Sequence, residues 1–247
     1  MHAVHRLYQY RKSLSTTVYK SRGHRVIRCE WCRLAKVHCV CSLKPTISSD
    51  IGFLLLMYDD EVLKPSNTGK LIADLFPKTF AFIWSRTEVD QQLLAILNDP
   101  QWQPFVVFPA EYANAEQQVY EQQINISPGL KPLFIMLDGS WREAKKMFRK
   151  SPYLLGFPVL SIDPQQHMGE SYLPKYHIRQ AAKSNQLATA EVAAHLVAIA
   201  GEGHNADIID CWFDVYNYRY QKSVCQTNKG DSQAEARLSS LMQKATN

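Results

Sequence analysis

Short apolar runs alternate along the chain with segments whose apolar residues recur at helical spacing. The runs predict buried strands at residues 51–58, 80–84, 105–108, 133–137 and 159–162. The helical spacing predicts helices at residues 71–76, 91–97, 141–150 and 187–200. Because strands and helices alternate, we expect an α/β fold with a mostly parallel sheet flanked by helices.

The composition is that of an ordinary globular protein. Hydrophobic residues make up 46% of the 247 residues and charged residues 21%, which excludes a wholly disordered chain. The clearest apolar run, at 53–57, is far shorter than the roughly 20 residues of a membrane-spanning helix. A chain of this length with six cysteines is not a small disulfide scaffold. We expect no membrane association and no obligate protein partner.

Positive charge is concentrated in the first 50 residues. They contain ten Lys or Arg and two acidic residues, a net charge of +8, whereas the remainder carries −3. Because basic residues gain affinity by releasing counterions from phosphates, this asymmetry predicts a polyanionic partner. A solvated tail or, for residues 1–28, an organellar transit peptide is the alternative. No secretory signal is recognisable, and we expect a cytoplasmic location.

The chain divides into four predicted segments. They are a basic arm that is partly helical or disordered (1–24), a cysteine-rich module (25–46), the α/β domain (47–225) and a polar tail (226–247). Within the α/β domain, residues 109–132 are expected to form a longer polar connection.

Four cysteines lie close together in the pattern Cys29-x2-Cys32-x6-Cys39-x-Cys41. They suit one tetrahedral zinc ion, because each short pair needs only a turn to converge on the metal. Neighbouring basic residues can face phosphate, so the module is either a zinc knuckle that positions RNA or a purely structural site. A reduced thiol cluster and disulfides are the remaining alternatives.

The segment Leu137-Asp138-Gly139-Ser140-Trp141 joins a predicted strand to a predicted helix. The strand carries Asp138 to the carboxyl edge of the sheet, where open α/β folds bind ligands. Gly139 allows a turn and a close approach, and Ser140 with Glu143 matches a capping box. The segment after Asp138 can also be interpreted as an ordinary capped helix with a solvated basic face. That interpretation gives Asp138 itself no role. That basic face consists of Arg142, Lys145, Lys146 and Arg149.

Three further loops follow predicted strands, and we expect them to share a pocket with Asp138. Their polar and aromatic residues are Ser66, Asn67 and Thr68 in the first loop, Ser85 and Arg86 in the second, and Phe108 and Pro109 in the third. Taken singly, each loop is also explained by turn or capping chemistry. In the last predicted helix we expect Thr189 as the cap and Glu191 as a first-turn acid, with a contact between Glu191 and a ligand amine as the alternative.

Together these motifs resemble the DTW-domain family, and within it the bacterial tRNA-uridine aminocarboxypropyltransferases. The resemblance spans about residues 25 to 220. It rests on the cysteine cluster and on motifs at 64–69, 84–86, 107–109, 137–141, 144–147, 150–152 and 189–191. The Asp-x-Thr-Trp motif of the family is Asp-Gly-Ser-Trp here, at 138–141, and the serine keeps the hydroxyl group but lacks the methyl group.

The resemblance implies a SPOUT-like α/β fold with a knotted cofactor pocket. It implies transfer of a 3-amino-3-carboxypropyl group from S-adenosylmethionine to N3 of a uridine in the variable loop of tRNA, with release of methylthioadenosine. We expect Asp138 to accept the N3 proton or to orient the uracil, while Ser140 and Trp141 pack near donor or base. The residues expected to hold the donor are Ser66, Asn67, Thr68, Ser85, Arg86, Phe108, Pro109, Leu137, Gly139, Arg179, Thr189 and Glu191. Of these, Arg86 or Arg179 would pair with the carboxylate of the donor.

Three other functions are compatible with the sequence. The first is an RNA methyltransferase that uses the same donor, and the second is an aminocarboxypropyltransferase that acts on ribosomal RNA. The third is a zinc-containing RNA-binding protein without catalysis, which would have no need for Asp138 and its hydroxyl-rich loops.

Overall fold

Parallel strands form the centre of the molecule in the computed structural model, which describes residues 1–16, 25–162, 175, 187–224 and 227–244. The strands are β1 (Gly52–Met57), β2 (Thr79–Ile83), β3 (Trp102–Val107), β4 (Val119–Tyr120), β5 (Lys131–Asp138) and β6 (Val159–Leu160). The helices in the described ranges are α1 (Ala3–Ser13), α2 (Gly69–Leu75), α3 (Gln91–Leu97), α4 (Trp141–Arg149), α5 (Thr189–Ile199), α6 (Gly203–Val224) and α7 (Ala234–Lys244).

The expected α/β fold with a parallel sheet is confirmed, and every strand and helix predicted from the apolar pattern is present. Strand β4 was missed, because it lies within the segment that was expected to be a polar connection. It is only two residues long and Val119 is exposed, so no apolar run marks it.

The six strands are ordered β2-β1-β5-β3-β6-β4, and every neighbouring pair is parallel. Strands β1 and β5 lie side by side at the centre, with Met57 paired with Asp138 at their carboxyl ends. The loops that follow these two strands therefore leave the sheet next to each other, although about 80 residues separate them in the chain.

Both faces of the central strands are buried, which explains why their sequences are continuous apolar runs without alternation. In β1, Phe53 and Leu55 belong to one hydrophobic cluster, which also contains residues of α2, α5 and α6. Leu54 and Leu56 point the other way, into a cluster with residues of α3 and α4. The sheet is thus covered by helices on both sides.

The N-terminal segment and the cysteine-rich module pack against the α/β domain. Val4 of α1 and Leu34 of the module are fully buried in the same cluster as Trp212 of α6. Arg11 donates hydrogen bonds of 2.7 and 2.9 Å to both carboxylate oxygens of Asp59, in the loop after β1. Residues 3–13 are therefore a docked helix, in agreement with the helical part of the expected arm.

Helix α6 was not predicted, because its buried surface does not follow a simple amphipathic pattern. Twelve of its 22 residues are buried, and they include the polar residues Asp214, Asn217 and Gln221. Helix α7 packs on it through the buried side chains of Ala234 and Leu238, so much of the expected polar tail is helical. No helix in the described ranges is both long and apolar enough to cross a membrane.

Asp74 on α2 is a half-buried acid that contacts Trp212 of α6 and His2, the residue that precedes α1. Trp212 Nε1 donates to Asp74 Oδ2 at 3.4 Å, and His2 Nε2 lies 3.5 Å from Asp74 Oδ1. Burial raises the pKa of Asp74 to about 6, against the opposing effect of Lys70. Burial also lowers the pKa of His2 to about 3. At neutral pH, an ionised Asp74 thus faces a neutral histidine.

We expect Asp74→Asn to stabilise the protein at pH 7.5 and to leave its stability nearly unchanged at pH 4. Because the folded-state pKa is raised, the folded protein retains a proton between about pH 4 and 6 that the unfolded chain has lost, so stability falls as pH rises through this interval. A pKa difference of two units corresponds to at most about 3 kcal/mol. We therefore expect the substitution to raise the free energy of unfolding by about 1–3 kcal/mol at pH 7.5.

Urea denaturation at both pH values measures this difference. An equal effect of the substitution at pH 4 and pH 7.5 would contradict the raised pKa of Asp74.

Candidate active site

Asp138 ends β5 and is the acid on which several polar segments converge. Its side chain is only 4% exposed. Asn67 Nδ2 donates to Asp138 Oδ2 at 2.7 Å, and Thr189 Oγ1 donates to Asp138 Oδ1 at 2.9 Å. The main chain is held as well, because Tyr58 N donates to the carbonyl oxygen of Asp138 at 2.9 Å. These hydrogen bonds offset the cost of burying the polar side chain.

Asn67 bridges two buried acids. Its Nδ2 also donates to Glu61 Oε1 at 3.2 Å, so the amide group joins Glu61 to Asp138. Lys64 Nζ lies 3.0 Å from Glu61 Oε2 and 3.2 Å from Asp60 Oδ1. Burial lowers the pKa of Lys64, but these two carboxylates more than compensate and the net shift is upward. Lys64 therefore supplies positive charge beside a strongly negative site.

Gly69 allows the start of α2 to lie directly against the Asp138 carboxylate. A Cβ atom at Gly69 would lie 2.5 Å from Asp138 Oδ2, well inside van der Waals contact. Thr68, the preceding residue, is buried, and its Oγ1 accepts a hydrogen bond of 3.4 Å from Ala190 N at the start of α5. The loop before α2 thus contacts both β5 and α5.

Lys70 is a lysine with its charged end inside the protein. Only 2% of the residue is exposed, and Nζ donates hydrogen bonds of 2.7 Å to the carbonyl oxygen of Pro65 and to Tyr216 OH. Burial lowers the pKa of Lys70 well below its usual value, and the charge of Arg33 acts in the same direction. Because Pro65 precedes the polar residues 66–68, Lys70 anchors the loop that carries Asn67.

The start of α5 is organised by Glu191. Its Oε2 accepts a 2.7 Å hydrogen bond from Ala188 N, and its Oε1 accepts a 2.8 Å bond from Lys175 N. The expectation that Glu191 serves in the first turn is confirmed. The expectation that Thr189 is the cap was wrong: Ala188 is the N-cap, and the Thr189 hydroxyl donates to Asp138 instead.

Ser140 and Glu143 form the expected capping box at the start of α4. Glu143 Oε2 accepts from Ser140 N at 2.7 Å and from Ser140 Oγ at 2.6 Å. The serine hydroxyl is therefore engaged within the helix start. Gly139 lies close to Tyr58 and Glu143, whose Cβ atoms would each be 3.2 Å from an added Cβ.

Aromatic side chains flank α4 at the carboxyl edge of the sheet. Phe108, at the end of β3, stacks on Trp141 with ring centroids 5.5 Å apart. Trp84, at the end of β2, stacks on Tyr58 with centroids 6.0 Å apart and donates from Nε1 to Ser151 Oγ at 2.9 Å. Two of the predicted loops therefore meet α4 through aromatic contacts.

The four cysteines of the N-terminal module converge on one point. All four sulfur atoms lie within 4.8 Å of one another, with Cys29 Sγ 3.6 Å from Cys41 Sγ and Cys32 Sγ 3.8 Å from Cys39 Sγ. A tetrahedral ion with metal–sulfur bonds of about 2.3 Å requires sulfur–sulfur distances of about 3.8 Å. The cluster can therefore hold a metal ion.

Arg33 connects this module to the candidate site. It adopts a left-handed backbone conformation, with φ of 61°, in the turn after Cys32. Its buried guanidinium donates to the carbonyl oxygen of Val62 and lies 4.8 Å from the centroid of the Tyr8 ring. Val62 directly follows Glu61, so the module supports the loop that contributes to the acidic site.

A family model describing the DTW domain matches residues 26–221, most of the chain. The chain belongs to the DTW-domain family. No solved structure matches it.

The DTW domain brings together some of the predicted site residues. Asn67, Asp138 and Thr189 are in direct contact, Thr68 touches the start of α5, and Gly139 and Leu137 flank Asp138 in the chain. Ser66, Leu137 and Pro109 are partly exposed. Ser85 instead accepts hydrogen bonds from Thr87 N and Glu88 N, and Arg86 is exposed. Arg179 lies outside the described residues.

Glu61, Lys70 and Tyr216 contribute to the site without having been predicted. Lys70 directly follows the motif at 64–69, but nothing in its sequence position indicates a buried amine. Glu61 follows Asp59 and Asp60 and has the sequence context of an exposed loop acid. Tyr216 lies on α6, 146 residues beyond Lys70, so only the packing of the helix reveals the contact.

We expect Gly69→Ala to destabilise the DTW domain by about 1–3 kcal/mol, because Asp138 must move to accommodate the new methyl group. The higher helix propensity of alanine would by itself stabilise the protein by up to about 1 kcal/mol. We expect the clash with Asp138 to outweigh this gain, so that the net change in stability is a loss. Chemical denaturation measures the change.

Gly156→Ala is the matched control, since an added Cβ there meets no atom within 4 Å. Its stability should remain within about 0.5 kcal/mol of the original protein. If Gly69→Ala were as harmless as this control, the close contact with Asp138 would be ruled out.

Proposed function

We propose that this protein is a cytoplasmic tRNA-uridine aminocarboxypropyltransferase with S-adenosylmethionine as donor. Membership of the DTW-domain family supports a role in tRNA modification. The observation that carries the proposal is the buried Asp138 carboxylate at the carboxyl edge of the parallel sheet, held by Asn67 and Thr189. A SPOUT-like topology with a knotted pocket, and the division into arm, module, catalytic domain and tail, remain predictions.

The charge of the site suits the proposed donor. Two acids, Glu61 and Asp138, are 1% and 4% exposed and are joined by Asn67. Glu61 is already paired with Lys64, so the negative charge that would favour the positive sulfonium of the donor is that of Asp138. When bound, S-adenosylmethionine would supply a 3-amino-3-carboxypropyl group and leave as methylthioadenosine.

Asp138 is the acid that we propose meets the substrate. An ionised carboxylate has about four acceptor positions, and Asn67 and Thr189 donate to one oxygen each. We propose that Asp138 accepts a hydrogen bond from the uracil N3–H and takes its proton as the new bond to N3 forms. The donors Asn67 and Thr189 fix the carboxylate orientation, so the protein contributes chiefly by positioning the imide.

Other residues would have supporting roles. The partly exposed Ser66, Leu137 and Pro109 are suited to line the donor site, with Trp141 packed against Phe108 at its border. The exposed Arg86 remains our candidate partner for the carboxylate of the donor, together with Arg179.

We further propose that the four cysteines hold a structural zinc ion. The four-sulfur donor set and its near-tetrahedral spacing fit Zn²⁺. With all four positions taken by sulfur, the ion would have no open position for a substrate. Its contribution would be to stabilise the module and, through Arg33, the loop carrying Glu61.

We expect the purified protein to convert uridine in tRNA to 3-(3-amino-3-carboxypropyl)uridine and to release methylthioadenosine. Asp138→Asn should lower kcat/KM by about 100-fold or more, because the amide cannot take the N3 proton. Mass spectrometry of tRNA nucleosides and chromatography of the spent donor measure both.

Asp207→Asn, at an exposed position on α6, is the matched control and should retain full activity. Release of S-adenosylhomocysteine would instead indicate methyl transfer and contradict the proposal. Full turnover of Asp138→Asn, with unchanged donor binding in calorimetry, would exclude the proton-accepting role.

We expect one zinc ion per chain and its loss in Cys39→Ser, because three sulfurs bind zinc far more weakly than four. Elemental analysis measures the content, and a chelator should lower the melting temperature. Cys211→Ser is the matched control, because this buried thiol on α6 lies outside the cluster. If Cys39→Ser retained its full metal content, the cluster would not be the binding site.

A further inference from the structure

One face of α4 carries a continuous row of positive charge. Arg142, Lys145, Lys146 and Arg149 follow one another at helical spacing and therefore lie along one side. We call these four residues the α4 stripe. Three are exposed and Lys145 is half-buried. Among the described residues, none of the four forms an ion pair with a carboxylate, so their charge is available to a ligand.

The two lysines of the stripe lie over aromatic rings. Lys145 Nζ is 5.7 Å from the Trp141 centroid and 5.8 Å from that of Tyr112. Lys146 Nζ is 5.5 Å from the Tyr58 centroid and 5.6 Å from that of Trp84, and it donates to Tyr58 OH at 3.2 Å. Trp84 is buried, but the other three rings are partly exposed. Each lysine therefore lies beside at least one partly exposed aromatic ring.

The stripe begins at the candidate active site. Helix α4 starts three residues after Asp138, and its nine residues extend about 13 Å away from the sheet edge. A nucleic-acid strand advances by about 3.4 Å per phosphate along a helical axis, so the stripe can meet several phosphates of one strand.

We propose that the α4 stripe and its aromatic neighbours dock the RNA strand next to the modified nucleotide. Cations bind the phosphates, and the rings offer stacking surfaces to unpaired bases, a combination typical of single-stranded RNA recognition. A surface that binds an acidic protein would need only the positive charges and not the aromatic rings. The identification of the strand as tRNA rests on the proposed function, whereas RNA docking on this helix does not require it.

The N-terminal segment offers fewer free cations for RNA binding than its net charge suggests. Arg11 is held by Asp59 through two hydrogen bonds, and Arg33 is buried. Arg6 donates to the carbonyl oxygen of Met1 at 2.6 Å. Part of the basic charge counted in the first 50 residues is therefore used within the protein.

The test measures binding of fluorescently labelled tRNA to the full-length protein by anisotropy at several salt concentrations. We expect the double substitution Lys145→Gln, Arg149→Gln to weaken binding about 10-fold or more. The magnitude of the slope of log affinity against log salt should decrease by about 1.4–1.8, since about 0.7–0.9 is lost for each of two phosphate contacts. Lys145→Glu should weaken binding further than Lys145→Gln, because it adds repulsion.

The charge-matched control is Lys229→Gln, Lys244→Gln, two exposed lysines outside α4. It should bind as the original protein does, and thermal melting verifies that all variants are folded. Equal losses in both double variants, or an unchanged affinity and slope in the α4 variant, would overturn the proposal. Displacement of tRNA by polyaspartate as effectively as by unlabelled tRNA at equal charge would point to an acidic protein instead.

Separate measurements distinguish the two proposals. Loss of RNA binding in the α4 variant tests the docking surface, whereas analysis of the tRNA nucleosides tests the reaction. If the protein transferred nothing to tRNA but the α4 variant still lost RNA binding, the docking surface would stand and the proposed reaction would be wrong.

Discussion

The buried carboxylate of Asp138 is the group on which the site depends. A charge that is 4% exposed is costly unless donors surround it, and its donors come from two distant segments of the chain. Asn67 is 71 residues away and Thr189 is 51 residues away. Satisfying this one acid therefore requires the loop before α2 and the start of α5 to dock on the end of β5. The adjacency of β1 and β5 makes this docking geometrically simple.

The cysteine-rich module is connected to the same arrangement. Arg33 donates to Val62, Glu61 accepts from Asn67, and Asn67 donates to Asp138. The module and the acidic site are thus joined by three hydrogen bonds and by the peptide link between Glu61 and Val62. Helix α1 strengthens the connection, since Arg11 holds Asp59 in the same loop and His5 stacks on Trp31 with ring centroids 4.4 Å apart.

Charge along the sequence and charge on the surface lead to different views of the RNA partner. Counting residues places the positive excess in the first 50 positions, but folding pairs or buries part of it. The α4 stripe lies in residues 51–247, which carry a net charge of −3. Its four cations nevertheless form no ion pair with a carboxylate among the described residues. Net charge therefore indicates the class of partner, whereas the fold determines which cations are available to bind it.

The sequence alone determined the types of most elements of the α/β domain, except β4 and α6, as well as the metal-ligand spacing of the cysteines and the position of Asp138 at the end of a strand. These features are local: apolar periodicity, turn chemistry and short ligand spacings are set by neighbours in the chain. The tertiary structure decided the strand order, the polar helix α6, and the burial of Lys70 against Tyr216. It also decided that Thr189 donates to Asp138 instead of capping its helix. Such contacts join residues far apart in sequence, and a hydrogen bond between them exists only once the packing of helices on the sheet has fixed both partners.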